Sequence, residues 1–540
     1  MEHIELVVLG LLVAIAGLAV VARAVRVPYP ILLVLGGLGL GLVPGMPEVE
    51  LDPDLVLLIF LPPLLYAAAF FSNLRELRTN ARPIGLLAIG LVVATMVVVA
   101  AVAHAVIGLD WAVAFVLGAI VSPTDAVAPA TILRRLRVPR RVVTVVEGEN
   151  LTNDWTALVA YKFAVAAVVT GSFSLLEAGP LFLLSGVGGV AIGVAVGIVI
   201  AAVRRRLEDP LTEITISLLT GYAAYLPAEQ LGASGVIAAV TAGVWLGWQA
   251  SELTTHTTRI QLAGIWELLQ FLLNAFLFVL VGLQLGTVLD SLSGRSTAEL
   301  AGYGALVGAV VIVVRLVWVY LLTYLPRRLS ARVRERDPLP RERGPLPDFH
   351  EATLVAWSSM RGAVSLAAAL AVPLETASGA AFPERDLIVF LAFCVILATL
   401  VGQGLTMPAL IRALGVEDDG LDQDEELAAR LEIAFAAIDR IEELEGEEWV
   451  HPDTVERTRG IFEYRRRRFS SRIDGAPPEE GDGFDYEGRA EAYERFMAHV
   501  IDAQRRALRT LRDEGRITDE VRRRVEYDLD LEEARISGAR

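Results

Sequence analysis

The chain has 540 residues, 54% of them hydrophobic and 21% charged, with a mean hydropathy of +0.52 and a net charge of −16. That average is too apolar for a soluble protein of this length and requires membrane spans. A lone cysteine, Cys394, excludes an internal disulfide and a zinc or iron–sulfur site built on thiolates, and the composition excludes a polybasic nucleic-acid binder, a disordered chain and a secreted disulfide scaffold.

A bilayer core takes about 20 apolar residues in helix. Thirteen such runs are predicted, near 4–22, 29–45, 54–72, 84–108, 111–133, 142–170, 178–203, 210–228, 233–249, 260–289, 299–325, 350–373 and 387–413. The first lacks the basic n-region and cleavage pattern of a secretory signal and reads as a retained span. Arginines alternate between loops. Arg23 and Arg26 follow the first run, Arg75, Arg78 and Arg82 the third, Arg134 to Arg141 the fifth, Arg204 to Arg206 the seventh, and Arg259 the ninth. Seven more follow the eleventh, whereas the even loops hold only Arg295 and Arg385. The positive-inside rule therefore places the N-terminus outside and the C-terminus in the cytoplasm.

Past Ala413 the composition changes. Residues 416–540 carry 35 acidic residues against 21 arginines, a net of −14 that leaves only −2 for residues 1–415. Residues 421–445 read as an amphipathic helix with Leu427, Leu431, Ala434, Ile438 and Ile441 on one side, and 453–473 and 488–514 look similar. The stretch 475–483 reads as a linker. The expected division is a transmembrane domain over 1–415 and an acidic, cytoplasmic helical domain over 416–540, which is either a plain solvated appendage or a regulatory or dimer-contacting one.

An ionised side chain at mid-bilayer costs at least about 2.5–3.5 kcal/mol, so each needs a reason. The fifth run contains Ser122-Pro123-Thr124-Asp125-Ala126-Val127-Ala128-Pro129, in which prolines flank a carboxylate. Each proline removes a backbone hydrogen bond, and freed carbonyls are tolerated in a membrane only inside protein or beside a wet cavity. The sixth run places Glu149, Asn150, Asn153 and Asp154 on roughly one helix face. The twelfth contains Ser358-Ser359-Met360-Arg361-Gly362. Carbonyl, carboxylate, amide and hydroxyl oxygens suit a small hard cation. Arg361 is expected to compensate and to pair with Glu149; that pair alone would be equally consistent with a purely structural role. Glu213 and Glu267 are expected to line an inner funnel or to form a pair or cap near the interface. Lys162, the only lysine, either neutralises a carboxylate across the bundle or snorkels outward, and His104 is expected to be structural. Gly189, Gly193 and Gly197 have the spacing of close helix packing, within or between subunits. The fifth and twelfth runs are both interrupted beside a charge and lie seven runs apart, an odd offset that inverts the topology. Paired interruptions in inverted repeats mark secondary transporters with a site near the midplane.

These residues carry a family resemblance. SPTDAVAPA (122–130), VEGENLTNDWTALVAY (146–161), WSSMRGAVSLAAALA (357–371), FLPPLLYAAAF (60–70) and WELLQFLLNAFLFVLVGLQL (266–285) resemble bacterial NhaP-type sodium/proton antiporters of the monovalent cation:proton antiporter 1 family, over about residues 1–415. The resemblance implies a homodimer of thirteen-helix protomers, each with a dimerisation domain and a six-helix ion-translocating core. It implies that Asp154 is the essential carboxylate, that the preceding Asn153 marks the electroneutral branch, that Asp125 and the Thr124 carbonyl are cation ligands, and that Glu149 supports the site and pairs with Arg361. Asn150 stands where the family often has a serine ligand.

The expected protein is thus an all-α polytopic membrane protein with inverted repeats and crossed, interrupted helices five and twelve. It is expected in the bacterial inner membrane, exchanging internal Na+ or Li+ for an external proton, one for one, without a cofactor, a transition metal or a nucleic-acid partner. A potassium/proton antiporter of the same fold and, from a different class, a cation channel or a transport-dead sensor are the alternatives. No nucleophile–base motif or P-loop suggests an enzyme.

Overall fold

The computed structural model describes residues 2–25, 27–41, 53–125, 127–171, 175–207, 209–292, 294–330, 349–418, 420–447, 449–474, 486–514, 516 and 519–537. Among them the only extended pairing is an isolated antiparallel bridge between Glu375 and Ala381, and everything regular is helix. The chain divides into two compact units, Met1–Asp418 and Asp419–Arg540.

The first unit begins with α1 (Glu2–Val25), α2 (Tyr29–Gly41), α3 (Pro53–Phe70), α4 (Leu74–Thr79), α5 (Ala81–Gly85) and α6 (Val92–Val102). It continues with α7 (Trp111–Val121), α8 (Val127–Arg135), α9 (Arg140–Thr170), α10 (Leu175–Arg204), α11 (Pro210–Gln230), α12 (Gly235–Trp248) and α13 (Ala250–Leu253). The last six are α14 (His256–Ser291), α15 (Thr297–Ser330), α16 (Phe349–Trp357), α17 (Ala363–Leu370), α18 (Arg385–Leu397) and α19 (Gly404–Leu414). π-Helical stretches at Leu86–Leu91 and Ala398–Gln403 join α5 to α6 and α18 to α19, and a third, Ala103–Ile107, extends α6.

Local chemistry sets several ends. Asp209 caps α11, accepting from the Thr212 hydroxyl at 2.6 Å and its backbone N–H at 2.9 Å, and those bonds hold its carboxyl below the usual range. Pro210 follows at the first helical position, where no amide hydrogen is missed. Gly171 ends α9 with a φ of 71°, a left-handed conformation open to glycine.

Among the described residues five helices are long and apolar enough to cross a bilayer: Ala81–Ile107, Gly179–Arg204, Thr257–Leu280, Thr297–Tyr324 and Arg385–Leu414. Five shorter apolar helices of 10–17 residues accompany them. The 31-residue α9 is long enough, but its carboxylates, amides and Lys162 keep its hydropathy low. The fifth and twelfth expected runs are broken in two: α7 stops at Val121 and α8 starts at Val127, while α16 stops at Trp357 and α17 starts at Ala363.

Small residues let helix backbones touch. A Cβ on Gly193 of α10 would lie 2.5 Å from the carbonyl oxygen of Ala238 on α12, and one on Gly37 of α2 would lie 2.3 Å from that of Val279 on α14. The Gly189, Gly193, Gly197 stripe therefore serves packing inside the protomer, against α12. Lys162 pairs with Glu229 of α11 at 2.5 Å. His104 Nδ1 lies 2.7 Å from the Leu109 carbonyl, and its ring stacks on Trp111.

The second unit comprises α20 (Leu421–Leu444), α21 (Pro452–Asp474), α22 (Tyr486–Asp513) and α23 (Asp519–Ser537). Ala434 and Ile438 are buried on the apolar stripe of α20. Arg430 lies over the ring of Phe469, 6.0 Å from its centroid, linking α20 to α21. Arg505 of α22 pairs with Asp530 and Glu533 of α23, at 2.5 and 2.6 Å. The helix α23 is not anticipated from the sequence, and the linker at 475–483 lies outside the described residues.

Replacing Gly193 by Leu should overpack the α10–α12 contact against a backbone carbonyl that cannot rotate away, at a cost of about 1–3 kcal/mol. A lowered melting temperature of the purified protein in detergent is the expected result; an unchanged one would contradict this contact.

Candidate functional site

The two helix breaks meet. The backbone N–H of Asp125, in the α7–α8 break, donates to the Met360 carbonyl, in the α16–α17 break, at 2.7 Å. The crossing is tight: a Cβ on Gly362 would come within 2.7 Å of Cβ and Cγ of Asp125, so the absence of a side chain there permits it. Asp125 Oδ2 accepts from the Ala128 N–H at 3.1 Å, which caps the start of α8.

The middle of α9 lies beside this crossing. Glu149, Asn150, Asn153 and Asp154 are all buried, as is Thr124 in the first break. The Thr124 hydroxyl makes a short contact with Asn150 Oδ1, lies 3.3 Å from Glu149 Oε1 and accepts from Asn153 Nδ2 at 2.7 Å. Asp154 follows Asn153 directly on α9 and is buried with it. Oδ1 of Asp154 and Oδ1 of Asn153 are buried and receive no donor among the described residues. A buried acceptor with no partner is costly, and a dehydrated cation or a proton on the carboxylate removes that cost.

Two arginines, both fully buried, balance these acids. Arg315, from the middle of α15, grips Glu149 through both terminal nitrogens, with Nη2 2.7 Å from Oε2. It also donates to the Val355 carbonyl from Nε at 3.3 Å and Nη2 at 2.9 Å. Arg361 sits in the second break itself. Its Nε donates to the Val121 carbonyl at 3.1 Å, its Nη1 to the Ser359 carbonyl, and its backbone N–H to the Thr399 hydroxyl at 3.0 Å. Val121 is the last residue of α7, so this guanidinium lies at the negative end of a helix dipole.

The expected Glu149–Arg361 pair is therefore corrected. Arg315 reaches Glu149 from the facing helix and occupies both carboxylate oxygens, whereas Arg361 is held by the carbonyls that the helix breaks set free. Sequence reasoning misses Arg315, though a signal exists: it is an isolated arginine in the apolar stretch Thr297–Tyr324 and carries the same insertion cost as the charges that were weighed.

Of the two expectations for Glu213, a funnel or a pair, the structure shows the pair. Its carboxylate is fully buried 3.9 Å from Arg204 Nη2, which is itself buried at the end of α10 instead of lying in a loop. Tyr66 and Trp266 pack nearby on Ser217, at 3.4 and 3.2 Å from its hydroxyl. Glu267 is exposed on α14, and Asn274 donates to the Gln270 carbonyl in its own helix at 2.8 Å. Neither joins the cluster around Asp154.

The transmembrane profile of the sodium/hydrogen exchangers matches residues 10–413. The chain belongs to the sodium/hydrogen exchanger family. An uncharacterized Na+/H+ exchanger of Mycobacterium tuberculosis is 37% identical over 534 residues, 98% of this chain and 96% of that protein. The Na+/H+ antiporter ApNhaP of Aphanothece halophytica is 34% identical over 77% of this chain and 76% of its own length. A sodium, potassium, lithium and rubidium/H+ antiporter of Bacillus pumilus is 35% identical over 76% of this chain and 61% of its own length. The fold of the sodium proton antiporter MjNhaP1 from Methanocaldococcus jannaschii superposes with a TM-score of 0.58 at 19% identity, covering 76% of this chain and 98% of that one.

Arg315→Ala should strand the Glu149 carboxylate in the interior and destabilise the exchanger by about 3–5 kcal/mol. Adding Glu149→Gln should restore most of the loss. Thermal unfolding of the single and double variants in detergent checks this, and equal melting temperatures for wild type and Arg315→Ala would overturn the pairing.

Proposed function

We propose that this membrane protein is a secondary antiporter that exchanges an internal Na+ or Li+ ion for an external proton, electroneutrally and one for one. The observation that carries this reading is the placement of Asp154 and Asn153, with acceptor oxygens that no donor fills, beside the crossing of two broken helices. Asp154 is assigned as the carboxylate that takes either proton or cation. Asp125, the Thr124 carbonyl and Asn150 complete the oxygen ligands, and Asn153 orients Thr124. Glu149 supports the site through Arg315. No covalent chemistry and no cofactor is needed.

Coupling follows from competition. A carboxylate binds a proton or a dehydrated cation, not both at once. If the core moves only when one of them neutralises Asp154, each ion that leaves must be exchanged for the other. Alternating access of a six-helix core against a dimerisation domain, in a homodimer with the C-terminal helices in the cytoplasm, is the arrangement this reading adopts. The inward proton gradient of a bacterial inner membrane would drive sodium out.

A second reading keeps the site and changes the ion. Potassium exchange is favoured by the similarity to the Bacillus antiporter named for sodium, potassium, lithium and rubidium. Asn150, with an amide in place of a hydroxyl ligand, bears on the same choice.

Proteoliposomes loaded with a pH-sensitive dye test the proposal. After a pH gradient is imposed, sodium should drive proton movement that is unchanged when the membrane potential is clamped. Asp154→Asn and Asp125→Asn should lose it while keeping wild-type yield and melting temperature. Sodium-dependent exchange that survives in Asp154→Asn would remove that residue from the mechanism. A response to potassium alone would select the second reading.

A further inference from the structure

Away from the ion site, at an end of the membrane unit rich in arginine, α3, α4, α12 and α14 surround a cavity of about 850 Å3. Two chemistries line it. Arg75 and Arg78 of α4 and Arg259 of α14 supply three guanidinium groups, and Phe71, Trp248 and Leu262 supply an apolar wall. All three arginines are exposed. Among the described residues no ion pair or hydrogen bond engages any of the three guanidinium groups.

Other arginines of the membrane unit do have carboxylate partners. Arg134 pairs with Glu147, Arg204 with Glu213, Arg295 with Glu384 and Arg315 with Glu149. The one carboxylate on α4, Glu76, is turned elsewhere: it accepts from Asn73 Nδ2 at 2.7 Å and binds Thr144 and Arg140. Glu252, on α13, does not line the cavity. Three positive charges thus line one cavity whose lining holds no carboxylate, and like charges on one surface favour an anion. Guanidinium groups match phosphate oxygens through paired N–H donors.

The apolar wall narrows the choice. Phe71 is 51% exposed and Trp248 66% exposed. Tryptophan concentrates at the level of lipid headgroups, and the apolar ring of Phe71 beside it suits an acyl chain. A small soluble anion would use the arginines and leave these rings unused, whereas an amphiphile uses both. We propose that this cavity binds an anionic phospholipid, with Arg75, Arg78 and Arg259 on its phosphate and acyl chains along Phe71, Trp248 and Leu262. The assignment to the inner leaflet rests on the positive-inside orientation; the site itself does not depend on which ion is transported.

Delipidated full-length protein in a neutral detergent, titrated with phosphatidylglycerol or phosphatidylcholine and followed by native mass spectrometry, tests the site. Phosphatidylglycerol should be retained in preference to phosphatidylcholine. Each of Arg75→Gln, Arg78→Gln and Arg259→Gln should weaken its retention by roughly fivefold, and Arg206→Gln, outside the cavity, should not. Equal retention of the two lipids, or unchanged retention in all three single variants, overturns the proposal. Displacement of phosphatidylglycerol by an equal concentration of inorganic phosphate would identify a soluble-anion site and overturn the lipid assignment. None of these readouts uses transport, so failure here is separable from failure of the antiport reading.

Discussion

Two interrupted helices cross in the middle of the membrane unit, and their freed peptide groups have to be satisfied without water. Lipid offers no donors or acceptors, so each group must find a partner in the protein. The Asp125 N–H takes the Met360 carbonyl, and Arg361 takes the carbonyls of Val121 and Ser359. Gly362 leaves room for the crossing. The polar residues of α9 are placed by this requirement, because only a helix beside the crossing can bring Asn150, Asn153 and Glu149 to Thr124.

The polar residues then separate by what they spend their bonds on. Arg361 gives Nε and Nη1 to backbone carbonyls and keeps Nη2 without an acceptor among the described residues, whereas Glu149 gives both oxygens to Arg315. The Glu149–Arg315 pair makes a frame whose charges are settled within the protein. Asp154 and Asn153 each keep a buried oxygen that no donor among the described residues fills. A site that binds and releases an ion needs both kinds of group: a frame that does not rearrange when the ion leaves, and ligands whose bonding capacity is not already committed.

Beside a core of buried Leu, Ile, Val and Phe side chains, some helix pairs are held by close backbone contact. Gly193 on Ala238 and Gly37 on Val279 bring α10 to α12 and α2 to α14 at distances a methyl group would forbid. In lipid, where apolar burial between helices gains little, such contacts supply much of the packing. The buried Arg204–Glu213 pair adds a second polar cluster, distinct from the one around Asp154 and walled by Tyr66 and Trp266.

Much of this was legible in the residues. Hydropathy marked the apolar helices, and prolines or glycine next to Asp125 and Arg361 marked both breaks, because the cost of a charge and of a lost backbone bond is local to the chain. The 3.6-residue period put Glu149, Asn150, Asn153 and Asp154 on one face for the same reason. What the sequence could not decide was who meets whom. Glu149 and Arg315 are 166 residues apart, and whether Arg315 or Arg361 reaches the carboxylate depends on how α15, α9 and the second break are rotated and tilted. Arg204 counts as a loop charge by position yet is buried on Glu213, and Lys162 finds Glu229 instead of a site carboxylate. Local periodicity and composition carry the energy of a residue in its own helix. The partner of a buried charge is set by tertiary geometry, which no single stretch of chain contains.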